Sequence, residues 1–171
     1  MLADYRRFIA RIGALTACAL LSLAAMPGYS EPTPSDETLL WSFEQSIYAG
    51  RAAGSLSFYV DHADVDYAGW PPQFAAPIGR AELIAGGKQA AGRSGEKIEL
   101  HKDLIRLADK GRMALVFYTT HRTMRSDGTA VDESYENIHV WLRHGKSWQI
   151  VGGMSRPVPR DRAKLAAPMP P

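Results

Sequence analysis

The sequence predicts one α+β domain, with helices in its first half and an antiparallel sheet in its second. Three observations carry this. Apolar residues recur every three or four positions early in the chain, four β-rich runs follow one another late, and Asp/Gly or His/Gly pairs separate those runs. Helices first and a meander last is the arrangement in which helices pack on one face of a sheet.

Before the domain, residues 1–30 read as a secretory signal. Arg6, Arg7 and Arg11 form a positive start, and Ile12 to Ala25 is an apolar run of about 14 residues, too short to span a bilayer comfortably. Pro27 breaks the run, and Gly28-Tyr29-Ser30 places small residues where a signal peptidase reads them, so cleavage is expected after Ser30. A periplasmic or secreted location follows. The alternatives are an uncleaved anchor, twin-arginine export through Arg6-Arg7, and a lipoprotein formed on Cys18 in Leu15-Thr16-Ala17-Cys18. Cys18 is the single cysteine, which excludes an intramolecular disulfide, and Ala19 to Ala25 stays apolar after it.

Of 171 residues, 46% are hydrophobic and 22% charged, as in globular chains, and what remains after the leader suits one core. The net charge of +2 comes from the leader, because the rest has equal numbers of acidic and basic residues. That balance excludes a nucleic-acid binder with a concentrated basic face.

Residues 31–35 are a proline-containing linker and 36–156 the domain. Ser35-Asp36-Glu37 starts a helix, and Leu39, Leu40, Phe43, Ile47 and Tyr48 form one stripe to a stop at Gly50. A short helix over 52–59, a strand over 63–67 and a loop over 69–79 with three prolines come next. A helix over 81–91 precedes strands over 98–107, 113–125, 131–143 and 147–154, and a proline-rich tail occupies 157–171.

A two-residue turn at Asp127-Gly128 sets the register of the central hairpin, so that Phe117 meets Ile138 and His121 meets Ser134. One face then carries Met113, Leu115, Phe117, Ile138, Val140 and Leu142 with His121 and Glu136. The other carries Val116, Tyr118, Thr120, Tyr135, Asn137, His139 and Trp141. Both faces hold large apolar groups, so the second is expected to meet a ligand or another subunit, giving a homodimer through the sheet.

The order of elements, with Trp41, Ala49-Gly50, Phe58-Tyr59-Val60-Asp61, Pro77-Ile78-Gly79-Arg80, Val140-Trp141 and Gly145 to Val151, resembles the nuclear transport factor 2-like superfamily, including SnoaL-like and ketosteroid isomerase-like proteins. The likeness covers about residues 36–155. It implies a cone-shaped barrel of about three helices on a curved, mostly antiparallel sheet, an internal pocket and frequent dimers. Functions in that group range from isomerases and lyases to binding and assembly modules, so fold does not settle function. The general-base aspartate of ketosteroid isomerases falls on Tyr67, with Asp66 one place earlier, and the oxyanion-hole tyrosine falls on Phe43, which disfavours steroid isomerisation.

His121 and Glu136 share a face and are candidates for a carboxylate-oriented base, with Asp66 a further acid–base candidate. Tyr48, Tyr67 and Trp70, with Phe117 and Trp141, are candidate contacts for a small apolar or amphipathic molecule. Asp61, His62, Asp64 and Asp66 alternate sides of a strand and read as a solvated edge, not a metal site, while His101 and His139 read as lone structural histidines. No phosphate loop, nucleophile elbow or metal motif is present, so neither metal nor cofactor is expected. Three readings follow: an exported small-molecule-binding protein, a cofactor-free lyase or isomerase, or a dimeric assembly module.

Overall fold

A computed structural model describes residues 34–158. The leader, Cys18 and the tail beyond Val158 lie outside the described residues.

Helix α1 spans Pro34–Ala52, longer than expected at both ends. The chain passes helically through Gly50 and turns back at Gly54, whose φ of 77° only glycine adopts easily. Gly50 serves the turn differently: its carbonyl accepts the Ser55 N–H at 2.8 Å, and a side chain there would strike Ser55. Helix α2 is Ser57–His62, a few residues later than its apolar residues indicated. Strand β1 (Ala63–Trp70) runs through Gly69-Trp70, where the sequence pattern predicted a stop. A two-residue strand β2 (Ile78–Gly79) leads into α3 (Arg80–Ala90), whose Glu82 carboxylate accepts the Gly79 N–H at 3.0 Å.

Strands β3 (Lys97–Ala108), β4 (Met113–Met124), β5 (Ala130–His144) and β6 (Ser147–Pro157) form the meander. Their order in the six-stranded sheet is β2-β1-β6-β5-β4-β3. All neighbours are antiparallel except β1 and β6, which are parallel. The sheet is curved but does not close into a barrel; β2 and β3 are its edges.

The β4–β5 register is the one that the turn residues set, with Phe117 opposite Ile138 and His121 opposite Ser134. The turn itself differs. Arg125 and Thr129 close a three-residue loop with Gly128 at φ 83°, and a shift between Arg122 and Met124 absorbs the difference.

The helices cover the face bearing Ala114, Val116, Tyr118, Trp141 and Ile150, all buried. From α1 they receive Leu40, Glu44 and Ile47, one helical stripe that is apolar except for its central carboxylate. At the start of α1, Asp36 pairs with Arg143 at 2.5 Å, whose guanidinium lies over the Trp148 ring. The opposite face, with Leu115, Phe117, Ile138 and Val140, is half-buried and points away from the helices.

Candidate functional site

Between α1, α2, α3 and the covered face of the sheet lies a cavity of about 560 Å³. Buried or half-buried tyrosines and a histidine make its inner part: Tyr48, Tyr59, Tyr67, Tyr118 and His139. Trp70, Phe74 and Arg93 line it at exposed positions.

One hydrogen-bonded chain organises the inner part. The Glu44 carboxylate is wholly buried and accepts from Trp141 Nε1 at 2.9 Å. His139 Nδ1 stands 2.8 Å from the same carboxylate, so that nitrogen carries a proton and donates it. The other nitrogen, Nε2, lies 3.1 Å from the Tyr59 hydroxyl, which in turn is 2.9 Å from the Tyr67 hydroxyl. Tyr118 approaches Nδ1 at 3.3 Å and Tyr48 approaches Tyr118 at 3.3 Å. The result is a carboxylate-oriented imidazole whose second nitrogen is hydrogen-bonded to a phenol of the cavity wall.

Burial pushes the Tyr59 and Tyr118 hydroxyls well above the usual phenol range, and their polar neighbours add to it. Burial also raises Tyr48 and Tyr67. All four stay protonated at ordinary pH, so the wall presents O–H groups and not phenolates.

Packing explains the positions. Tyr67 lies along the sheet over Gly69, where a side chain would overlap its ring. Gly153 on β6 leaves room for the His139 ring, which a side chain there would strike.

The candidates named from sequence are distributed on both sides of the sheet. Tyr48, Tyr67 and Trp70 line the cavity. Trp141 does not line it but is buried behind it, bonded to the Glu44 carboxylate that also holds His139. Phe117 lies on the outer face. His121 and Glu136 share that outer face but take different partners: His121 is 2.8 Å from Asp132, and Glu136 accepts from Arg156 at 2.7 Å. Asp66 is exposed on β1. Neither His121, Glu136 nor Asp66 lines the cavity, because the pleat turns each away from the helix-covered side. His62 stacks on Phe58, while Asp64 pairs with His144 at 3.0 Å, which separates that acid and histidine run. Among the described residues no group of three such side chains is placed to hold a metal ion.

Glu44 escaped the sequence reading, and His139, read there as a lone structural histidine, has Glu44 and Tyr59 as partners. A signal existed for Glu44: it lies four residues after Leu40 and three before Ile47, a carboxylate on an apolar stripe. His139 alternates with Trp141 and Asn137 on one face, but nothing local names its partner 95 positions away.

No family model matches the sequence, and no curated protein matches it. Solved structures do. A domain of unknown function with a cystatin-like fold from Nostoc punctiforme is 17% identical, with a TM-score of 0.63 over 78% of this chain and 84% of that one. A "putative ketosteroid isomerase" from Parabacteroides distasonis is 15% identical, with a TM-score of 0.57 over 79% and 95%. A nuclear transport factor 2-like protein from Cytophaga hutchinsonii is 12% identical, with a TM-score of 0.58 over 74% and 100%. The fold is that of the nuclear transport factor 2-like superfamily.

Proposed function

We propose that the cavity binds a small, partly apolar molecule and that His139 exchanges a proton with it, making the chain a cofactor-free isomerase or lyase. The observation that carries this is the fully buried Glu44 carboxylate bonded to His139. Removing a carboxylate from water costs several kcal/mol, and a cavity that only stores an apolar compound has no need of it.

Tyr59 mediates the exchange. With Nδ1–H donated to Glu44, Nε2 accepts the Tyr59 O–H. A ligand C–H or O–H proton passes to the Tyr59 oxygen as the tyrosine's own proton passes to Nε2. Tyr59 stays neutral, the ligand becomes an anion, and Glu44 faces the imidazolium formed. Return of the proton to another carbon completes an isomerisation; loss of a leaving group from the anion completes an elimination.

The test is deuterium incorporation into a panel of small cyclic ketones in heavy water, followed by proton NMR. The protein should accelerate α-exchange in at least one of them, and His139→Gln should reduce that rate by about 10²-fold or more while the compound still binds. Compounds that bind without exchange, or an unchanged rate in His139→Gln, would sink the acid–base reading and leave a binding protein. The second reading, binding alone, is favoured by one feature: Tyr59 already occupies Nε2. From residues 1–30 we also infer action in the periplasm or outside the cell.

A further inference from the structure

A second polar group stands at the cavity wall, and it is cationic. Arg51 ends the α1 stripe one turn after Ile47, Arg122 projects from β4, and Arg93 lies in the segment after α3; all three line the cavity. Two carboxylates line it with them. Glu82 is committed to the Gly79 N–H, and Glu96, almost wholly buried, is held between two guanidinium groups at 2.9 Å from each, Arg51 Nη2 and Arg122 Nη1.

This arrangement is already an anion receptor, occupied by the chain's own carboxylate. Arg51 lies over the Tyr48 ring with its carbon 5.1 Å from the centroid, and Arg122 lies 5.8 Å from that of Tyr135, so both forks are pre-positioned. Arg122 gives further donors to Glu133. Arg51 uses one N–H on Glu96 and remains partly open. Arg93 makes no ion pair among the described residues. Arg122 is thus shared between Glu96 and Glu133, whereas Arg51 gives one N–H to Glu96 and Arg93 has no ion pair among the described residues; both line the same cavity as the tyrosines and His139.

We infer that the occupant is a small amphipathic acid, its carboxylate held by Arg51 and Arg93 beside the Glu96–Arg122 pair, its body directed toward Tyr59 and His139. The inference rests on the proposed ligand site and names the chemical class that it takes. Glu96 repels the incoming anion while positioning its receptors, which tunes affinity downward and permits release.

The experiment uses the full chain and one matched pair of probes, oxocyclohexanecarboxylate and its methyl ester, titrated by ligand-detected NMR. The acid should bind about tenfold more tightly than the ester, the difference expected of a charge-assisted contact. Arg93→Ala, at an exposed position, should weaken the acid and leave the ester unchanged, and Arg51→Met should do the same. Glu96→Gln should tighten the acid, since the repulsive charge is gone. Equal affinity for acid and ester, no binding of either, or variants that leave their ratio unchanged would overturn the inference. Preference for the acid without deuterium exchange sinks only the acid–base reading, whereas exchange of a neutral ketone with no preference for the acid sinks only this one.

Discussion

Glu44 is the residue on which the site depends. Its carboxylate has no contact with water and two donors, His139 and Trp141. Glu44→Ala leaves Trp141 Nε1 unsatisfied in the core and His139 Nδ1 with only the Tyr118 hydroxyl at 3.3 Å, so we expect a loss of about 1–3 kcal/mol in urea unfolding; a loss below about 1 kcal/mol would show that the network carries little of the stability. The tyrosines make a separate prediction about pH. Their native pKa values are raised by burial above the ordinary 10.0, so their contribution to stability is fully present below that value. It is lost as pH rises further, because the unfolded chain ionises first. Melting temperature should fall above about pH 10, with tyrosinate absorbance appearing only in step with unfolding for these four; early ionisation of all tyrosines in the folded state would contradict it. Glu133 works in the other direction: the Arg125 and Arg122 guanidinium groups hold it below the carboxylate range, so its contribution fades only in acid.

Among the elements, β6 has the most exacting requirements. It is parallel to β1 and antiparallel to β5, and its Gly152-Gly153 pair is the reason that both neighbours fit. A side chain at 152 would meet the Ala68 carbonyl at 2.5 Å, and one at 153 would meet the Ile138 carbonyl at 2.7 Å as well as the His139 ring. Neither glycine has a positive φ, so the requirement is space and not backbone freedom. Gly153→Ala should cost about 1–3 kcal/mol and shift the His139 imidazole resonances, whereas an unperturbed imidazole would show that the ring has room to move. The first and third helices, the hairpin order and the β4–β5 register were legible in the sequence because each depends on neighbours a few positions away. The parallel β1–β6 pair was not, since it joins residues about 85 apart, such as Ala68 and Gly152, and leaves no local mark.

At the scale of the whole molecule, the outer sheet face remains. Leu115, Phe117, Ile138 and Val140 form an apolar surface on the side away from the helices. The subunit contact expected on the Val116 and Trp141 face is excluded there by the helices, so we propose that a second copy covers this outer face instead: the protein should sediment as a dimer and Phe117→Asp should give a folded monomer. A monomeric wild type would end that expectation. Export makes a prediction of the same scale: the intact mass of the chain recovered from its host envelope should begin at Glu31, and a retained or lipidated leader would instead show as added mass.

The sequence by itself determined the first and third helices, the long strands and which side chains of the central hairpin share a sheet face, because helical and strand periods and turn residues act locally; it set α2 too early and left the β2 strand in a loop. It marked Tyr48, Tyr67 and Trp70 as aromatic residues near one opening. Only the tertiary structure decided which face the helices cover, and with that which acid and histidine meet. His121 and Glu136 lie on one side of the pleat and Glu44 and His139 reach the other, although both pairs read alike along the chain. The physical reason is that a strand's alternation separates two faces without saying which will be dry; the α1 stripe, by packing there, makes that choice and buries Glu44 with it.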